Sequence, residues 1–204
     1  MRAMPVEFWF EFASTYSYPA AMRVEGLAAQ AGAKLQWCPF LLGPIFREQG
    51  WDNSPFNIYP AKGRYMWRDL ERICARMGIP FHKPTVFPRN GLLAARIACQ
   101  FAEAEWIGAF VRGVYTANFA TDQDISDPAI LEPIIERFGE RATTVIERAE
   151  SSEAKARLRE QTELATHFGI FGAPSVRVGD ELFWGNDRLE DALAWYKRGA
   201  DHPA

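Results

Sequence analysis

The chain has 204 residues, of which 48% are hydrophobic, 24% charged and 14% aromatic, and 23 basic against 26 acidic side chains leave a formal net charge of −3. That composition belongs to a globular protein able to bury a proper core, and it excludes intrinsic disorder. Lysine and arginine are scattered rather than clustered, so the chain lacks the basic footprint of a nucleic-acid binder and no nucleic-acid partner is expected.

Val6 to Phe12 alternates polar and apolar residues and then turns mostly aromatic, which predicts a strand. Glu7 and Glu11 interrupt it, and nowhere does an apolar run approach the ~18 residues of a membrane helix. The stretch also lacks the charged start, long apolar centre and cleavage site of a signal peptide. The expectation is therefore a cytoplasmic protein with no membrane partner. Ser14 and Ser17 offer cap hydroxyls to a helix that begins near Tyr18 and ends near Gly32. Lys34 to Phe40 is a second strand, closed by Pro39; strand, helix and strand at this spacing form a βαβ unit with parallel strands.

From Leu41 to Pro60 the pattern fails, because Gly43, Pro44, Gly50, Asn53, Pro55, Asn57 and Pro60 punctuate it. The expectation there is a long irregular loop, ordered by Phe46, Trp51, Phe56 and Tyr59. Met66, Leu70, Ile73, Cys74 and Met77 then share one helical face ahead of the stop Gly78-Ile79-Pro80. Further helices are expected over Leu92 to Glu103 behind an Asn90 cap, over Trp106 to Ala117, from Ser126-Asp127-Pro128 to Phe138-Gly139, and from Ser152 to Phe168 with Gly169 as its stop. Pro174 to Val178 and Glu181 to Trp184 flank Gly179-Asp180, a β-hairpin signal, and Asp187 is placed to cap a closing helix that carries Leu189, Ala192, Leu193 and Tyr196.

Cys38, Cys74 and Cys99 lie too far apart for a disulfide framework or a zinc site and read as small apolar core residues. His82, His167 and His202 have no partners at ligand spacing, so neither a metal nor a histidine base is expected. The order of elements gives an α/β fold in which one sheet domain, residues 1–60 and 165–204, is split by an all-helical insertion, residues 61–164.

This order is also that of a thioredoxin-like fold with an inserted all-helical domain, as in disulfide oxidoreductases of the DsbA type. Where redox members carry Cys-x-x-Cys, this chain has Ser14-Thr15-Tyr16-Ser17, which resembles the Ser-Pro-Tyr-Ser signature of kappa-class glutathione transferases and 2-hydroxychromene-2-carboxylate isomerases. Gly169-Ile170-Phe171-Gly172-Ala173-Pro174 and Phe183-Trp184-Gly185-Asn186-Asp187-Arg188-Leu189 resemble the cis-proline and glutathione-binding segments of that family, and the likeness extends through Pro60-Ala61-Lys62-Gly63-Arg64-Tyr65. Thr15 stands where proline is usual, and Ala173 where a larger aliphatic residue is usual; neither change removes a chemical group.

The resemblance implies a glutathione-dependent isomerase of aromatic degradation, with glutathione as cofactor, a small aromatic acid as substrate and a homodimer as the assembly. Ser14 becomes the candidate catalytic residue, a hydroxyl beside exposed helix N–H groups where a thiolate would be stabilised. The resemblance makes Ala173, Pro174, Trp184, Gly185, Asn186 and Asp187 the other cofactor-binding candidates, with Ala173 acting through its main chain and Asp187 meeting the γ-glutamyl ammonium. Arg47, Asn53, Asn57, Ile58, Lys62 and Phe87 are candidates for the aromatic acid, the arginine because it can hold a carboxylate bidentately. A kappa-like transferase that conjugates electrophiles is the nearest alternative, and a non-catalytic thioredoxin-like binding module a more distant one. A disulfide oxidoreductase is disfavoured, because both thiol positions hold serine.

Overall fold

The structure, a computed structural model, describes residues 5–201. Its sheet has the order β2-β1-β3-β4. The central strand β1 (Val6–Phe10) runs parallel to β2 (Leu35–Pro39) and antiparallel to β3 (Ser175–Val178), which pairs antiparallel with β4 (Glu181–Trp184). The expected βαβ unit and C-terminal hairpin are therefore both present, with α1 (Ser17–Gln30) joining the parallel strands.

The aromatic run of β1 follows from burial on both faces. Side chains alternate across a strand, so Val6, Phe8 and Phe10 enter a large core with Trp37, Tyr115 and Val176, while Trp9 enters a smaller one with Cys38, Phe40, Ile45, Ala165 and Ile170. Phe10 lies edge-on to Phe12 at 5.3 Å and to Trp37 at 5.7 Å, which fixes the end of β1 where the chain turns towards α1. On the second face Glu7 accepts hydrogen bonds from Trp9 and Arg177, both at 2.9 Å, so its charge is paired.

All further helices up to α9 lie between β2 and β3. The stretch expected to be an irregular loop instead contains α2 (Leu42–Glu48) and α3 (Pro55–Ile58), and Pro60 begins α4 (Pro60–Met77). The difference lies in the prolines. Pro44 falls in the first turn of α2, and Pro55 and Pro60 open their helices, where a missing N–H costs nothing because those donors have no intrahelical partner. The remaining helices are α5 (Leu92–Gln100), α6 (Ile107–Phe119), α7 (Pro128–Glu136), α8 (Ala142–Glu150) and α9 (Ser152–His167). Helix α8 was not among the helices expected from the sequence, although Ala142, Val145 and Ala149 share its buried face at helical spacing.

Gly78 ends α4 at φ +65°, the left-handed conformation expected of that stop. The expected Asn90 cap is displaced by one residue: Gly91 occupies the N-cap of α5 without a side-chain cap, and Asn90, just before it, accepts from the Leu92 amide at 2.9 Å. Asp187 does not cap α10 (Leu189–Asp201); it lies inside a short 3-10 turn, Asn186–Arg188, that leads into it. The three cysteines are buried and free, and burial pushes the thiols of Cys74 and Cys99 up to about 11, consistent with core residues rather than nucleophiles. His202 lies outside the described residues.

Candidate active site

Between β1 and α1 the chain makes a tight turn around Glu11. The Ser14 amide donates to the Glu11 carbonyl at 2.9 Å, and the Ala13 amide donates to Glu11 Oε2 at 3.0 Å. This turn aims the Ser14 hydroxyl across the sheet, where it donates to the carbonyl of Ala173 at 2.9 Å. Ser14 Oγ also accepts, at 3.4 Å, from the amide of Ser17, the first residue of α1. Ser17 itself is no cap: its hydroxyl is buried without a hydrogen-bond partner. Thr15 is 2% exposed and its hydroxyl reaches Met66 Sδ at 3.1 Å, so the residue that replaces proline ties the turn to α4.

Ala173 precedes Pro174 through a cis peptide bond. The residues around it divide two adjoining cavities. The larger, about 780 Å³, is lined by Ser14, Ala173 and Phe171 and by Phe46, Trp51 and Phe87 among others. Arg47, Asn53 and Lys62 also line it, as does the Phe87 expected from the sequence. Asn57 and Ile58 do not. Asn57 stands behind the wall, its side-chain amide donating to Asn53 Oδ1 at 3.0 Å and to the Phe87 carbonyl at 3.4 Å, so it braces two lining residues instead of meeting a ligand.

The smaller cavity, about 370 Å³, gathers Pro174, Gly185, Asn186 and Asp187 with Asp69 and Arg76 of α4. Tyr16, Ala173 and Trp184 belong to both cavities. Asn186 is buried and already engaged, because Arg23 donates both to its side-chain oxygen and to its carbonyl. Its side chain therefore shapes the turn. The Asp187 carboxylate is 74% exposed and open to a ligand, with Arg188 at 3.6 Å. Gly185 has φ +119°, a backbone conformation that side chains strongly disfavour.

Four residues of these walls were not singled out from the sequence as site residues. Tyr16 donates to Asp69 Oδ2 at 3.0 Å, and burial followed by that hydrogen bond holds the phenol protonated, well above its usual range. Arg76 places a cation in the smaller cavity. Arg89 is 7% exposed and donates to Asn118, Thr85 and Asp122, which anchors the wall that carries Phe87. Glu11, half-buried on the larger cavity, has its carboxyl pushed up to about 7 by burial, against the opposing effect of the Ala13 and Ser14 amides. A glutamate directly after an aromatic strand was the one available signal, and only as an interruption of the apolar run.

Residues 5–197 match the DSBA-like thioredoxin domain family. A curated relative, 2-hydroxychromene-2-carboxylate isomerase of Sphingobium xenophagum, is 31% identical over 188 residues, which cover 91% of this chain and 94% of that protein. Glutathione S-transferase kappa 1 of Homo sapiens is 27% identical over 199 residues, covering 91% and 87% of the two chains. Among solved structures, that of a 2-hydroxychromene-2-carboxylate isomerase matches with a TM-score of 0.81 at 28% identity and covers 97% of this chain and 98% of that one. The thioredoxin-like fold with helices between its halves, expected from the order of elements, is the fold these matches share.

Proposed function

We propose, from the premise that the chain belongs to the DSBA-like thioredoxin domain family, that it is a glutathione-dependent isomerase interconverting 2-hydroxychromene-2-carboxylate and trans-o-hydroxybenzylidenepyruvate. The observation that carries the reading is the Ser14 hydroxyl, set against the Ala173 carbonyl at the start of α1 and opening on an apolar cavity that also holds Arg47 and Lys62. The relatives named isomerase, at about 30% identity over most of the chain, support it.

The smaller cavity fits glutathione chemically. Asp69 and Asp187 oppose Arg76 there, a mixed set suited to a peptide that carries both an ammonium and carboxylates. In this reading Trp184, Gly185 and the turn shaped by Asn186 complete that wall, while Ala173 and Pro174 offer main chain to the cysteinyl group. When bound, glutathione supplies a nucleophilic thiolate for transient addition to the conjugated carbon of the ring-opened substrate. Ser14 stabilises negative charge at the sulfur by donating its hydroxyl, which main-chain pairing at the Ala173 carbonyl would release. The start of α1 adds its positive dipole end. Lowering an ordinary thiol by about two units from ~8.5 requires only ~2.7 kcal/mol of such preference. Arg47 and Lys62 draw the substrate carboxylate, Asn53 adds a polar contact, and Phe87 with the neighbouring aromatic side chains excludes water from the reacting carbon.

The test is the ultraviolet spectral change of 2-hydroxychromene-2-carboxylate mixed with glutathione-stripped protein, before and after glutathione is added. Conversion only in the second mixture is expected, and glutathione binding without conversion would remove the isomerase reading. A kappa-type transferase is the second reading, favoured by the kappa relatives and by the same Ser14 geometry; a stable thioether product would select it. The reading also carries a cytoplasmic homodimer, and a monomer mass in solution would remove the dimer. Among the described residues no helix is long and apolar enough to cross a membrane.

Trp184 stands between the two cavities, and a Cβ at Gly172 would lie 2.5 Å from its Nε1. Gly172→Ala is therefore expected to displace the indole and weaken glutathione binding by about tenfold, or ~1.4 kcal/mol, read by titration calorimetry. Binding at full strength would show that the indole position is immaterial to the cofactor.

A further inference from the structure

The proposed isomerisation contains a proton transfer that a thiolate adding to carbon does not perform. A 2-hydroxychromene carries its hydroxyl and its ring oxygen on the same carbon, C2, whereas the product has a ketone and a free phenol. Opening the ring breaks the bond from C2 to the ring oxygen, and the electron pair of that bond stays on the oxygen. The C2 hydroxyl loses its proton, its O–H electron pair forms the carbonyl, and the phenolic oxygen gains a proton. One proton moves between two oxygens of the same molecule, with no oxidant or reductant.

The wall of the larger cavity offers few groups for that transfer. Arg47, Lys62 and Arg89 are cations, Tyr16 is engaged with Asp69, and Asp52 is exposed in the connection between α2 and α3. Glu11 is the half-buried carboxyl on this wall, three residues before Ser14 on the same turn. We propose that Glu11 is the general acid–base of the ring-opening step: its carboxylate takes the C2 hydroxyl proton as the ring bond breaks, and the resulting carboxyl returns that proton to the phenolate oxygen.

Three features support this role. The Ala13 amide holds Oε2 at 3.0 Å, so the carboxyl is preset rather than mobile. From α6, Tyr115 donates to the Glu11 carbonyl at 2.9 Å and locks the backbone of the turn. Burial brings the carboxyl to about 7, where both protonation states are populated at neutral pH. The titratable or charged groups that share its surroundings are Tyr115 from α6, Tyr16 before α1, Arg47 in α2, Asp52 after it, Lys62 in α4, and Arg89 before α5.

This role rests on the isomerase reading, and the experiment separates the two. Glu11→Gln keeps the side-chain length and an acceptor for the Ala13 amide. With wild-type protein converting the substrate in the presence of glutathione, kcat of Glu11→Gln is expected to fall about 100-fold and its pH profile to lose the limb near 7. The KM for glutathione and the ultraviolet titration of the bound thiolate are expected to stay at wild-type values. Glu11→Asp, with its shorter reach, is expected to recover part of kcat. An unchanged kcat, an unchanged pH profile or a lost thiolate signal in Glu11→Gln overturns the role while leaving the isomerase reading intact. Wild-type protein that leaves the substrate unconverted removes the isomerase reading, and the role of Glu11 with it.

Discussion

Replacing Ser14 by alanine is expected to lower glutathione-dependent turnover about 100-fold at neutral pH while leaving the fold intact. The hydroxyl is the one side-chain donor placed both at the start of α1 and beside the Ala173 main chain. A hydrogen bond to a charged group contributes about 1.5–3 kcal/mol, and the upper part of that range corresponds to roughly two orders of magnitude in thiolate population or rate. Structurally the change is mild, since Ser14 is only part-buried and the 3.4 Å contact it offers the Ser17 amide is long. Bound glutathione in Ser14→Ala is therefore expected to titrate close to an ordinary thiol, near ~8.5, and a melting curve should stay close to wild type. Turnover within twofold of wild type would show that the helix N-terminus and main chain activate the sulfur without the hydroxyl.

The second large effect concerns stability and comes from Glu11. Its carboxyl has an ordinary value of 4.5 and is raised to about 7 in the folded protein, chiefly by burial. Between those values the folded chain keeps a proton that the unfolded chain has lost, so stability from this group is fully present below about 4.5 and is lost as the pH rises through about 7. The loss is on the order of 3 kcal/mol. Other carboxylates act in the opposite sense: Asp124 and Glu153, held low by hydrogen bonds from nearby serines and backbone amides, weaken the fold as the pH falls. The clean measurement is therefore the difference between wild type and Glu11→Gln in urea unfolding at pH 4.5 and at pH 8. Glu11→Gln is expected to gain on wild type across that interval. Parallel pH dependences would mean that the Glu11 carboxyl is not raised in the fold.

The elements that sequence reading placed well are those whose signals are local. The aromatic β1, the single-face apolar pattern of α4 ending at Gly78, and the hairpin around Gly179-Asp180 each follow from neighbours within a few residues. Where a residue type has two local meanings, the sequence is ambiguous. Proline both breaks helices and opens them, and in α2, α3 and α4 it opens them or sits in the first turn. In α8 the apolar face is present at helical spacing, in Ala142, Val145 and Ala149, but is only three residues long and follows directly on the stop at Gly139.

The same division runs through the candidate site. Ser14, Ala173, Pro174, Trp184, Gly185 and Asp187, identified from short motifs, line the two adjoining cavities, and so do Arg47, Asn53, Lys62 and Phe87. Asn57 braces the wall from behind, Ile58 is not part of it, and the Asn186 side chain is spent on Arg23. Spacing in the loop could not separate wall from support, because which side of a short helix faces a cavity depends on what packs against its other side.

By itself the sequence determined the four strands, the longer helices, their order and the serine at the head of α1, since periodicity, turn residues and motifs are properties of neighbouring positions. Only the tertiary structure decided that Ser14 meets Ala173 from 159 positions away, through the antiparallel register of β1 and β3. It alone also decided that Glu11 is half-buried on a cavity wall with its carboxyl near neutrality, because the energy of an ionised carboxylate depends on the desolvation and hydrogen bonds that the folded chain assembles around it.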